Sequence, residues 1–117
     1  MTTDSSLDDI ARRLRQRLHM VPDAAKVAKL RKRLNLSLSE SVVLAALHEA
    51  GCAWVPADKL VLALPKTIRD KPGVLPILVD CLRVMLGEYA VLYYCDVGYT
   101  LGAPGVIACR KALEGGA

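Results

Sequence analysis

The sequence has no phenylalanine, and one tryptophan with four tyrosines makes up an aromatic content of only 4%. A β-sandwich draws its core from aromatic and β-branched side chains, so that architecture is disfavoured. The four cysteines, Cys52, Cys81, Cys95 and Cys109, form no C-x-x-C unit. Zinc sites and redox pairs need short fixed spacings. The cysteines therefore read as small apolar residues in a reducing compartment, and no metal or cofactor is expected. His19 and His48 have no nucleophile beside them in the sequence, no acid pair lies in a loop, and there is no glycine-rich phosphate loop. The residue sets that an active site requires are missing, and the chain is not expected to be an enzyme. Long apolar runs are missing too. Val74–Leu86 is the longest and contains Asp80 and Arg83; a bilayer span takes about 20 apolar residues. Met1–Asp9 is polar and acidic, unlike a secretory signal, so a cytoplasmic protein with no membrane partner is expected.

What is present is leucine, valine and alanine, within a hydrophobic content of 53% over 117 residues. That composition suits packed helices in one small domain. The net charge of +4 is unevenly spread. Residues 1–35 hold nine Lys/Arg and four Asp/Glu, whereas residues 36–117 hold seven and eight. Clustered positive charge attracts nucleic acid or acidic protein surfaces.

Ser5 or Ser6 with Asp8 and Asp9 looks like a helix start, and Leu7, Ile10, Ala11, Leu14 and Leu18 repeat at helical spacing. Pro22-Asp23 opens a second helix, with Val27, Leu30 and Leu34 on one face. These read as two basic amphipathic helices, an arm or hairpin over 1–35 whose apolar stripes need a partner. Ser37-Leu38-Ser39-Glu40 is a capping box. The helix behind it turns Val43, Leu44 and Leu47 inward and ends at Gly51. A short helix from about Ala57 to Leu64 stops at Pro65, and Lys66–Gly73 reads as a polar loop. A helix lies between Pro76 and Gly87, and Tyr89–Tyr94 with Tyr99–Leu101 forms a hairpin turned at Asp96-Val97-Gly98. Gly102–Gly105 reads as a break before a last short helix through Val106, Cys109 and Leu113. Trp54 is expected to cap the core, and Leu44, Leu47, Leu60, Leu64, Leu78, Val79, Leu82 and Leu86 to form its centre.

Several of these segments carry a resemblance. Leu36-Ser-Leu-Ser-Glu40-Ser-Val-Val-Leu44-Ala-Ala-Leu47 is similar to the opening of the winged helix-turn-helix effector domain of OmpR/PhoB-type response regulators. Gly51 and Val55 match that family's Gly-x-x-Val step, and Leu82-Arg83-x-x-Leu86-Gly87 resembles the end of its recognition helix. Val91–Leu101 resembles its wing, which closes on Gly-Tyr-x-Leu. The resemblance implies a mainly α fold with a short β-hairpin: a winged helix core over 36–102, preceded by the basic helices of 1–35 and followed by a short helix and tail over 103–117. It also implies binding to double-stranded DNA in transcription control. The family's receiver domain and leading sheet have no counterpart in this sequence.

The recognition helix departs from the pattern. On a helical wheel Leu75, Leu78, Val79, Leu82 and Leu86 face one way, and Ile77, Asp80, Cys81 and Val84 face the other. A major-groove reader needs donors for base edges and cations for phosphates. That outward face offers a carboxylate, a thiol and two aliphatic chains. In the wing, Cys95 and Thr100 stand where the family often carries arginine. Phosphate contacts are therefore expected from Arg12, Arg13, Arg15, Arg17, Lys26, Lys29, Arg31, Lys32 and Arg33, with Lys66, Arg69, Lys71 and Arg83 from the domain. The competing expectation is a winged helix serving protein–protein interaction. In that reading Ile77, Asp80, Cys81 and Val84 meet a transcription protein or a second copy of the chain, unless the N-terminal helices cover them.

Overall fold

The computed structural model describes residues 22–51 and 53–114. In chain order these form α1 (Ala24–Leu34), α2 (Leu38–Glu49), α3 (Ala57–Leu62), α4 (Lys66–Arg69) and α5 (Val74–Leu86). Strands β1 (Val91–Tyr94) and β2 (Gly98–Leu101) then precede α6 (Ala103–Glu114). The domain is mainly helical, with an antiparallel hairpin near its C-terminal end.

Local chemistry sets most boundaries. Asn35 ends α1 in the left-handed conformation (φ 55°), and the N–H groups of Asn35 and Leu36 both reach the Arg31 carbonyl. Asparagine tolerates that conformation, which satisfies a carbonyl the helix would otherwise orphan. The capping box opens α2: the Glu40 N–H donates to Ser37 Oγ at 3.2 Å, and the Ser37 N–H donates to Glu40 Oε1 at 2.8 Å. Gly73 and Gly87, both at positive φ, bracket α5.

Helix α2 is the centre of the molecule. Its residues 41–47 are all buried, and Val43, Leu44 and Leu47 reach 0% exposure. A helix apolar around its whole circumference belongs inside a protein. Ser41 is tolerated there because its hydroxyl donates to the Ser37 carbonyl at 2.8 Å. Helices α1, α5 and α6 and strand β2 pack around it. From α1, Val27 and Leu30 enter this core, and α1 also packs along α6. The second basic helix therefore shares the core of residues 36–102.

The hairpin pairs Val91 with Leu101 and Tyr94 with Gly98. Val55 adds an isolated bridge on the far side of β2, exchanging backbone bonds with Tyr99 at 2.7 and 2.9 Å. Gly98 makes this approach possible. Its φ is 134°, and a Cβ there would lie 2.1 Å from the Val55 carbonyl oxygen.

Several sequence expectations are corrected. The Lys66–Gly73 stretch is not all loop, because Lys66–Arg69 turns as α4 directly behind Pro65. Helix α3 ends at Leu62, not Leu64, whereas α5 carries Pro76 in its first turn, from Val74, and Gly87 at its C-cap as expected. Gly102–Gly105 is not a break: α6 begins at Ala103, and the Val106 N–H bonds the Gly102 carbonyl at 3.0 Å. Pro104 falls in the first turn, where its missing N–H costs no helix bond. Trp54 does not cap the core. It is 41% exposed, with its ring edge-on to Tyr94 at 6.2 Å. Leu78 and Leu86 are only partly buried at the margin, while the other six expected core residues are buried.

Candidate nucleic-acid interface

Of the cations expected to touch phosphate, Arg12, Arg13, Arg15 and Arg17 lie outside the described residues. Those of α1 divide into two roles. Lys26 turns inward toward the end of α2: its Nζ lies 3.7 Å from Glu49 Oε1 and 3.2 Å from His48 Nδ1. The same Glu49 oxygen accepts the Asp23 N–H at 2.9 Å. Lys26 thus pins α1 to α2. Burial, then the neighbouring Lys26 charge, lowers the His48 pKa, with Glu49 opposing.

Lys29, Arg31 and Lys32 are exposed and carry no ion pair among the described residues. They stand on the solvent side of α1 because Val27 and Leu30 take the inner side. Packing of α1 along α6 then adds a residue that sequence reasoning missed. Lys29, Lys32 and Arg33 from α1 and Lys111 from α6 line one open groove of about 680 Å³. Ala28, Leu34 and Ala112 supply its small apolar floor. Among the described residues, every charged side chain lining it is a cation. Such a groove favours a phosphate-bearing ligand. The sequence signal for Lys111 was its place on an amphipathic helix with Cys109 and Ala112 inward, but nothing local says which neighbour it meets.

The remaining candidates fall elsewhere. Lys66 and Arg69 lie on α4 and Lys71 just after it, and α4 packs on α5. None of the three lines the basic groove. Arg83 is half-buried and committed: its Nε donates to the Val91 carbonyl at 3.0 Å, and its Nη1 meets Asp80 Oδ1 at 3.3 Å. It ties α5 to β1 and neutralises the one acid on the outward face of α5.

No described helix covers that outward face, and the first basic helix expected over residues 1–21 lies outside the described residues. Ile77 is 62% and Val84 84% exposed, and Asp80 and Cys81 are exposed beside them. Helix α1 packs on α2 and α6 instead of covering it. The hairpin adjoins the face at Arg83. Tyr93 stacks at a tilt on Tyr99 with centroids 4.8 Å apart, and Tyr99 feels the charges of Arg83 and Asp80. Burial, then Tyr93, raises the Tyr99 pKa, so its phenol stays neutral.

Among the described residues no three His, Cys, Asp or Glu side chains gather as a metal site, and no helix is long and apolar enough to cross a membrane. Cys109 is fully buried, and burial pushes its thiol up to about 11, which keeps it protonated and unreactive. No protein-family model, curated protein or solved structure matches the chain.

Proposed function

We propose that this protein is a DNA-binding transcription regulator built on a winged helix, gripping duplex phosphates with a basic groove instead of its recognition helix. The observation that carries the reading is the convergence of Lys29, Lys32 and Lys111, beside Arg33, on one groove with no carboxylate among its described lining residues. The order of elements supports the scaffold: capped α2, the Val55 bridge, α3, α5 and then the hairpin. Cations neutralise phosphates and release their counterions, which gives salt-sensitive affinity with little sequence choice. The outward face of α5 offers no cation beyond Arg83, already bonded to Val91 and Asp80, so base-edge readout there is weak.

The test is fluorescence anisotropy of a short labelled duplex titrated with the full chain over a range of salt. Each phosphate contact contributes about −0.9 to the slope of log K against log salt. The combined Lys29→Glu, Lys32→Glu and Lys111→Glu variant should flatten that slope by roughly two to three units. Wild-type protein that fails to bind near physiological salt, or a variant that binds like wild type, would overturn the reading.

A second reading, a winged helix used for protein–protein interaction, is favoured by the exposure of Ile77, Cys81 and Val84 on one face of α5. Contiguous exposed apolar surface commonly marks a partner site. In a pulldown, Val84→Asp should then release a partner transcription protein without unfolding the domain.

A further inference from the structure

We infer that the outward face of α5 pairs with the same face of a second copy, as an antiparallel two-fold helix contact. The inference is independent of DNA binding, because the face shares no residue with the basic groove.

The face carries one acid, Asp80, and that acid is already paired with Arg83 of the same helix at 3.3 Å. It is thus neutral and apolar, so it attracts neither a polyanion nor a basic peptide and does not repel itself. Association through the basic groove, in contrast, would set Lys29, Lys32 and Lys111 of each copy against those of the other.

The helix is also self-complementary about a point between Asp80 and Cys81. With a rise of 1.5 Å per residue, a two-fold axis there sets Ile77 level with Val84 of the other copy. Cys81 then lies within about 2 Å, measured along the helix, of its own counterpart. Asp80 and Arg83 occupy the same flank of the stripe, and the two-fold keeps that flank on one side of the contact. Asp80 then stands about 3 Å along the axis from the second copy's arginine. Each carboxylate can be shared between two guanidinium groups without any charge left unpaired. Arg83 also joins this flank to β1, which places the exposed Tyr93 at the edge of the contact. A helix of this length is about 20 Å long and presents less area than the roughly 800 Å² per partner of a standard interface. The association is therefore weak and concentration-dependent.

Sedimentation equilibrium of the full chain over micromolar to millimolar concentration tests this. A monomer–dimer equilibrium is expected, with Val84→Asp weakening it at least tenfold and Asp80→Lys weakening it through charge. Val84 is 84% exposed, so Val84→Asp should keep the wild-type melting curve at low concentration. In a Cys52→Ser, Cys95→Ser background, which removes the other thiols that could cross-link, oxidation by diamide at millimolar protein should give a disulfide-linked dimer that Cys81→Ser abolishes. A chain that stays monomeric at every concentration overturns the inference. So does a dimer that Val84→Asp leaves unchanged, or a cross-link that survives Cys81→Ser.

Discussion

At the scale of single residues, His48 is the group whose ionisation bears most directly on the fold. A proton added to it would face the Lys26 ammonium at 3.2 Å, with the Glu49 carboxylate opposing. Burial is the larger cause of its lowered pKa and Lys26 the next. The sign follows from linkage. Above about pH 6.5, the ordinary value, the imidazole is neutral folded or unfolded and stability is complete. As pH falls below that value the unfolded chain takes up the proton first, so stability is lost toward acid. Chemical denaturation between pH 7.5 and 5.5 should show a falling midpoint for wild type and a flatter profile for His48→Gln. Parallel profiles for the two proteins would remove His48 from the account. Lys26 itself shows how burial changes a residue's role. On a wheel it is one more basic residue of α1, yet it is half-buried and directs its charge to Glu49 of the same domain.

At the scale of elements, α1 is the informative case. Its stripe of Val27 and Leu30 and its capping at Asn35 are local facts. What the stripe packs against is not, because Leu30 meets a core assembled from residues far along the chain. Leu30→Ala should cost roughly 2–5 kcal/mol, the range for large-to-small changes at fully buried positions. Urea denaturation reads that loss directly. A cost below about 1 kcal/mol would show that α1 is a detachable arm. For the same reason, deleting residues 1–35 would open the core as well as remove cations, so substitution is the cleaner test of DNA binding. The legible parts of the fold were those written in neighbouring residues: the Ser37–Glu40 box, Gly51 after α2, Gly87 after α5 and the turn at Gly98. The less legible parts depended on approach between distant segments. Gly102 and Gly105 read as breakers, but a Cβ at either would strike the backbone of Tyr89 or Ala90. These glycines permit close contact at the base of the hairpin while α6 begins across them. Trp54 looked like a core residue by size, yet it lies beside Tyr94 at the hairpin edge.

At the scale of the whole molecule, the basic groove and the exposed apolar face of α5 share no residue among those described. Helix α2 lies between them, with α1 and α6 carrying the basic groove and α5 with the hairpin carrying the neutral apolar face. The sequence showed that the first 35 residues are basic and that α5 lacks cations. It did not show that Lys111 joins Lys29 and Lys32, since that requires knowing that α1 lies along α6. The arrangement makes a positional prediction about the proposed DNA interface. If net charge alone drove binding, any three lysines or arginines would be equivalent. If the groove holds the phosphates, Lys66, Arg69 and Lys71 are bystanders, because α4 packs on α5 and none of the three lines the groove. The Lys66→Glu, Arg69→Glu, Lys71→Glu variant changes net charge as much as the Lys29→Glu, Lys32→Glu, Lys111→Glu variant. Salt-titrated anisotropy of the two side by side separates local from global charge. The α4 variant should keep the wild-type salt slope, with affinity lowered only slightly by long-range repulsion, which screening confines to about 8 Å at physiological salt. The groove variant should flatten the slope. Equal losses in both would mean that the duplex responds to the overall field of the protein and that the groove holds no privileged phosphate contact.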